Sequence, residues 1–307
     1  MPLRRGRNIP PIRSAEMGEP RGSALSWNTD RIFIDMTRLG ALSVSLLALM
    51  PSAFAAGKRG IAWPWYNEVA GTGMDTAKLA NQHIQWIYNW ETWRPAKTTN
   101  LNWIGMQRCM DCESSPIAQL QTRAAQQGWN TVLTLNEPDI NNITPATAAA
   151  WYIQYINPLP IKKAIPSVTS SNLPGQGLQW AAQFISACAG RCFYDYVNVH
   201  WYGGSFADFK GFIEQAHTMF PDKEIIVTEF ALQAPADREQ QVTFLIQAMA
   251  FLDAASYVPY YSAFVATSPA LFAANDPAGA AYVGLESTLF NNDGSLTHSG
   301  LVYTGAV

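Results

Sequence analysis

The chain predicts a single-domain α/β fold, a parallel eight-stranded TIM (β/α)8 barrel, and three observations carry that expectation. Short apolar, strand-like runs alternate with helix-like segments over about 250 residues, the length and order of such a barrel. Apolar residues make up 48% of the 307 and charged residues 14%, ample for one sizeable core and marginal for two domains. No glycine-rich fingerprint follows the first strand, where Pro64-Trp65-Tyr66-Asn67-Glu68 stands instead, and this disfavours an open doubly wound sheet.

The domain is expected over 56–307, behind a leader. From Met36 a short basic start gives way to an apolar run and then to Ala53-Phe54-Ala55, the pattern of a secretory signal peptide spanning 36–55 and cut before Ala56. Residues 1–35, rich in Arg, Pro and Gly, show no structural period and read as a leader that precedes the true start. The competing reading is a membrane anchor, but the apolar run falls short of the roughly 20 residues that a spanning helix needs.

Strands are expected at 60–65, 84–90, 103–108, 131–136, 164–169, 195–201, 224–229 and 258–264. Helices are expected at 75–82, 115–128, 145–157, 177–188, 206–219, 237–254 and after 278. Ser114-Ser115-Pro116 and Thr144-Pro145 place a capping hydroxyl before a first-turn proline, Asp237 opens the helix after Pro235, and Gly128 stands where a helix stop belongs.

Two strands end on glutamates: Glu137, in Thr-Val-Leu-Thr-Leu-Asn-Glu-Pro, and Glu229, in Ile-Ile-Val-Thr-Glu-Phe. A carboxylic acid at the mouth of a buried strand is costly to keep and signals chemistry. Two such groups facing one gap are the minimum equipment for cleaving a glycosidic bond. Barrel sites form at the C-terminal strand ends, and there the sequence collects Trp63, Trp65, Asn89, Trp90, Asn136, His200, Trp201 and Tyr202. Flat apolar faces beside amides and hydroxyls suit sugar rings. Asn136 is placed to bond a sugar hydroxyl; His200 and Tyr202 could orient Glu229 or touch the sugar. For each tryptophan, packing between strand and helix is the competing reading. Glu68, Glu91 and Asp139 read as solvated or capping residues.

Without 1–55 the chain carries 13 basic against 19 acidic residues, a poor match for nucleic acid and a better one for a neutral polymer. Cys188 and Cys192 flank a turn and are expected to form a disulfide; the pairing of Cys109 with Cys112 stays open. A zinc site is disfavoured by the spacing of the second cysteine pair and by the lack of a nearby histidine, and no metal or cofactor is expected. Asn142-Ile143-Thr144 is a glycosylation acceptor.

Tyr88-Asn89-Trp90, Leu135 through Asp139, Ala149-Ala150-Trp151, Tyr155-Ile156, Cys188 through Cys192, His200 through Gly203, Thr228 through Ala231 and Asp293 through Thr297 with Gly300 and Tyr303 form an ordered set of blocks. Together they resemble glycoside hydrolase family 128, secreted and mostly fungal β-1,3-glucanases, and the likeness spans nearly all of 58–304. The resemblance implies a retaining, endo-acting enzyme on β-glucan polysaccharide or oligosaccharide. Its acid/base ends the fourth strand, Glu137, and its nucleophile the seventh, Glu229. It further implies an extracellular or cell-wall location; a monomer with no membrane attachment after signal cleavage is the default. Two departures stand out: Gly105-Met106-Gln107-Arg108-Cys109 replaces a family Pro-Met-Leu-Trp-Gly, and a tryptophan common near Ala263 is absent. The segment 267–284 reads as an insertion at the cleft mouth. The rivals are a glycosidase of β-1,4 or β-1,6 specificity and a wall protein that binds glucan without cutting it.

Overall fold

The computed structural model describes residues 57–68, 71–96 and 100–307; the expected leader and signal peptide lie outside the described residues. The strands are β1 (Arg59–Ala62), β2 (Ile84–Tyr88), β3 (Asn102–Trp103), β4 (Gly105–Gln107), β5 (Thr131–Asn136), β6 (Lys162–Ser167), β7 (Tyr196–Gly203) and β8 (Glu224–Leu232). All pair in parallel, in the orders β1-β2-β3 and β4-β5-β6-β7-β8. The expected third strand is thus β3 plus β4, broken at Ile104, whose N–H still donates to the Ile87 carbonyl at 3.0 Å. Glu137 therefore follows the fourth barrel position and Glu229 lies on the seventh.

The expected strand at 258–264 is not a regular strand. Tyr261 alone bridges in parallel to both Arg59 and Val227, and its carbonyl and N–H bond Gly60 and Lys58 at 2.8 and 2.9 Å. Pro259, which has no N–H to donate, sits in this stretch and is poorly suited to a continuous ladder. The eighth stave of the TIM barrel is a bridge, not a strand.

Side-chain alternation splits the core into two layers. Trp86, Tyr88, Ile104, Met106, Leu133, Tyr196 and Ile226 fill the lumen, whereas Ile61, Ile87, Val132, Val197 and Ile225 face the surrounding helices. The lumen is aromatic: Trp86 lies 5.8 Å from Tyr88 and 5.7 Å from Tyr260. Gly60 makes room for this, since a Cβ there would stand 2.1 Å from the Trp86 ring.

The helices are α1 (Leu120–Gln126), α2 (Pro145–Trp151), α3 (Gly177–Cys188), α4 (Phe206–Met219), α5 (Arg238–Ala254), α6 (Pro269–Asn275), α7 (Pro277–Val283) and α8 (His298–Thr304). Thr144 caps α2, Asp237 and Gln240 form a capping box on α5, and Gly128 takes φ +64° after α1. The helix expected at 75–82 is one 3₁₀ turn, Thr76–Lys78, and that expected at 145–157 ends as a π turn, Tyr152–Ile156. Ser114 and Ser115 do not cap: Pro116 precedes the next turn with no side-chain cap, and both serine hydroxyls donate to Glu91 instead. The segment 267–284 holds α6 and α7. Both cysteine pairs, Cys109–Cys112 and Cys188–Cys192, form disulfides.

One buried polar cluster ties β1 and α8 to the closing stave. Arg59 donates to Tyr261 Oη at 2.8 Å, to the Tyr303 carbonyl at 3.0 Å and to Asp253 at 2.8 Å, and Tyr261 donates to Asp253 at 2.6 Å. Removing the carboxylate strands a buried guanidinium. Asp253→Ala is expected to lower stability by about 3 kcal/mol, read as a fall in the urea midpoint at unchanged slope.

Candidate active site

Two local irregularities deliver the glutamates. Glu137 takes φ +47° just past β5, and its N–H donates to the Ser167 carbonyl at 2.9 Å while its own carbonyl accepts from Asn141 Nδ2 at 3.0 Å. This bent backbone lets two consecutive residues, Asn136 and Glu137, both line the cleft. Asp139 fixes the turn, accepting from Thr169 Oγ1 at 2.6 Å and Gly177 N at 2.9 Å. Glu229 depends on a β-bulge: Val199 pairs with Val227 but His200 with Glu229, so Thr228 is the extra residue. The bulge resets the alternation. Thr228 and Glu229 both face inward, and Phe230 turns outward to stack on Phe209 at 5.3 Å.

His200, wholly buried, joins the two carboxyls. Its Nδ1 is 3.0 Å from Glu137 Oε1, and its Nε2 is 2.9 Å from Thr228 Oγ1 and 3.5 Å from Glu229 Oε1. Glu229 also accepts from Trp90 Nε1 at 2.7 Å and from Tyr202 Oη at 2.6 Å. Burial raises the pKa of Glu229 and repulsion from Glu137 adds to it, while His200 and the two donors oppose the rise; the net direction is up. For His200, burial pulls the pKa down, but the two glutamates outweigh it and the net direction is again up. The Tyr202 hydroxyl is pushed far above its ordinary value by burial and the adjacent carboxyls, so it stays a donor.

The glutamates open into a cleft of about 870 Å³, within the roughly 300–1,000 Å³ typical of ligand sites. Of the residues expected on its rim, Trp65, Trp90, Asn136 and Tyr202 line it. Trp65 is 53% exposed, a free aromatic face, whereas Trp90 is held edgewise as a donor to Glu229. Asn136 lines the cleft beside Glu137, with its Oδ1 buried and without a protein partner. Trp63, Asn89 and Trp201 do not reach the cleft. Each falls on the outward phase of its strand: Trp63 bonds Glu68 and edges Phe290, Asn89 closes a turn on Trp93, and Trp201 packs between Phe209 and Phe244.

The sequence reading missed several lining residues. Glu91, expected to be solvated, is buried and bonds Arg108 Nε at 3.0 Å and both Ser114 and Ser115. Arg108 thereby stands in the cleft wall. Phe264 supplies an aromatic face next to the missing tryptophan position, 5.5 Å from Tyr202. Tyr282, on α7, lies 5.8 Å from Tyr202 and bonds Gln233, so the 267–284 segment builds the facing wall. The signal for Glu91 was its buried-strand neighbourhood; nothing in the sequence marked Tyr282.

Glu137, His200 and Glu229 each present a ligand-type atom, all within 4.8 Å of one another, a set that could in principle hold a cation. Their atoms are spent on each other and on Thr228, Trp90 and Tyr202, an arrangement that suits a proton-handling pair better. Among the described residues both cysteine pairs are oxidised, which leaves no thiolate for zinc.

The model of the family described as glycosyl hydrolase catalytic core matches residues 60–303. The crystal structure of a subgroup IV family 128 endo-β-1,3-glucanase from Lentinula edodes is 53% identical with a TM-score of 0.77, over 80% of this chain and 99% of that one. A subgroup III curdlan-specific exo-β-1,3-glucanase from Blastomyces gilchristii, solved with glucose, is 27% identical at TM-score 0.64, over 80% of this chain and 97% of its own. Alkali-sensitive linkage protein 1 of Schizosaccharomyces pombe is 30% identical over 259 residues, 81% of this chain, and this chain spans only 44% of that protein. From the barrel, the paired carboxyls and these likenesses it follows that the chain belongs to glycoside hydrolase family 128.

Proposed function

We propose that this protein is a secreted, retaining endo-β-1,3-glucanase with Glu229 as nucleophile and Glu137 as acid/base. The observation that carries the reading is the close pairing of the two carboxyls from the fourth and seventh barrel positions, with oxygens within 4.8 Å. Retaining enzymes keep their carboxyls about 5–5.5 Å apart, whereas inverting ones need roughly 6.5–9.5 Å to seat a water between them. The substrate and endo action rest on the 53%-identical glucanase, whose chain is covered almost throughout. Secretion rests on the expected signal peptide and on the two disulfides. Among the described residues no helix is long and apolar enough to cross a membrane.

In the first step ionised Glu229 attacks the anomeric carbon, and Glu137 gives its proton to the departing glycosidic oxygen. In the second, Glu137 takes a proton from water, which then displaces Glu229 from the sugar and restores the starting configuration. Trp90 and Tyr202 hold the Glu229 oxygens in place before attack and stabilise the carboxylate when it leaves. Asn136, in the cleft wall beside Glu137, is suited to hydrogen-bond a sugar hydroxyl as the ring flattens. Trp65 offers a stacking face to a flanking glucose.

Reducing-sugar release from laminarin tests the assignment. Wild type is expected to be active and Glu229→Gln inactive, while Glu137→Gln loses about 10²- to 10⁴-fold on glucan and regains turnover of an activated aryl glycoside when azide is added. Binding without turnover by the wild type would instead identify a glucan-binding protein, and inverted products would overturn the double displacement.

The pH dependence follows from the environment of Glu229. The attacking form is ionised and burial raises its pKa, so the acid limb of kcat/KM is expected above the ordinary carboxylate range. Tyr202→Phe removes a donor that favours the ionised form. The limb should then move to still higher pH, measured as a pH–rate profile on a soluble laminari-oligosaccharide.

A further inference from the structure

We propose that Thr228 is a positioning residue that sets the tautomer of His200 and so fixes which way the hydrogen bond between His200 and Glu137 runs. The inference rests on the assignment of Glu137 as acid/base and goes beyond it.

Thr228 Oγ1 lies 2.9 Å from His200 Nε2 and 2.9 Å from Asn198 Oδ1. A hydroxyl has one hydrogen, and the Asn198 carbonyl oxygen can only accept it. With Asn198 oriented this way, its Nδ2 buried without a partner, Thr228 has only lone pairs to offer His200, and Nε2 carries the ring hydrogen. In the neutral imidazole Nδ1 is left as a lone pair, aimed at Glu137 Oε1 from 3.0 Å. That contact is favourable when Glu137 carries a proton and repulsive when it does not.

All three links are buried and braced. Asn198, His200 and Thr228 have no appreciable exposure, so water does not compete for these atoms. Thr228 is the extra residue of the bulge, and Tyr88 Oη reaches across the lumen to its carbonyl at 2.8 Å. The groups facing the imidazole are Glu137, Glu229 and, further off, Asp139, all acidic. These acids favour the imidazolium, so the tautomer governs the contact at pH values above the pKa of His200, where the ring is neutral.

The consequence runs through both steps. Resting Glu137 holds its proton against the Nδ1 lone pair. When that proton passes to the leaving oxygen, the new carboxylate faces the same lone pair, and this makes it a stronger base toward the water of the second step. The proton taken from that water restores the starting arrangement, so none is gained or lost over the cycle. The opposite tautomer would donate from Nδ1, stabilise the carboxylate and weaken both roles.

The direct test needs no substrate. Two-bond ¹H–¹⁵N correlation on histidine-labelled resting protein, with only four histidines to assign, reads the tautomer of His200. The expected result is an Nε2–H ring in wild type and in Thr228→Ser, and a shift toward Nδ1–H in Thr228→Val. Kinetically, Thr228→Val is expected to lose about tenfold in kcat with little change in KM, and Thr228→Ser to recover most of it. An Nδ1–H ring in the wild type, or a Thr228→Val protein with unchanged tautomer, overturns the proposal. Because the tautomer is read without turnover, its outcome is separate from that of Glu229→Gln on laminarin.

Discussion

The site depends on holding two carboxyls close together in a space that favours neither charge. Coulomb repulsion and lost hydration both act against it, and a pair left unbraced would separate or protonate. The barrel supplies the brace as a single buried imidazole between them, with two further donors on Glu229. Hydrogen bonds to a charged group contribute about 1.5–3 kcal/mol each, so Trp90 and Tyr202 together offset a substantial part of the burial cost of Glu229. The remaining cost persists as the raised pKa. Desolvation is thus the reason this acid responds to its neighbours at all.

The brace in turn constrains the backbone. His200 can reach Glu137 and Thr228 at once only if β8 advances by one residue opposite it, which the bulge provides. A regular β8 would continue the inward phase from Ile226 and Thr228 to Phe230, and would turn Glu229 out toward the helices. The site is therefore carried by a departure from regular pairing, as is Glu137 with its left-handed backbone. Tyr88, anchored in the aromatic lumen, holds the bulged carbonyl, so packing below the site stabilises irregularity within it.

This explains which parts were legible in the sequence. The barrel, the helix caps at Thr144 and Asp237, and the placement of both glutamates follow from alternation and composition. Period-two alternation also holds the information that Trp63, Asn89 and Trp201 face outward, since they share phase with Ile61, Ile87 and Val199, and that His200 and Tyr202 face inward with Tyr196. Grouping residues by strand end without their phase put the three on the rim. The bulge at Thr228 was not legible, because a one-residue slip depends on what the partner strand offers. The wall from α6 and α7 was legible only as an insertion, since Tyr282 gains its place by contact with Tyr202 and Gln233.

The eighth stave shows the same economy at the other end of the fold. The closing stretch bonds through its backbone to Val227 and Phe230 of β8 and to Gly60 of β1, and side chains reinforce that closure: Arg59, Asp253 and Tyr261 join the first strand, α5 and the closing stretch. The bonding runs on to the rim, where Phe264 N–H donates to the Phe230 carbonyl at 3.1 Å. Phe264 and Val265 line the cleft, and the chain passes directly into α6 and α7. Phe264 is thereby held as the aromatic neighbour of Trp90 and Tyr202, the two donors on which Glu229 depends. Closure at the eighth position and support of the carboxylate at the seventh are one structural arrangement.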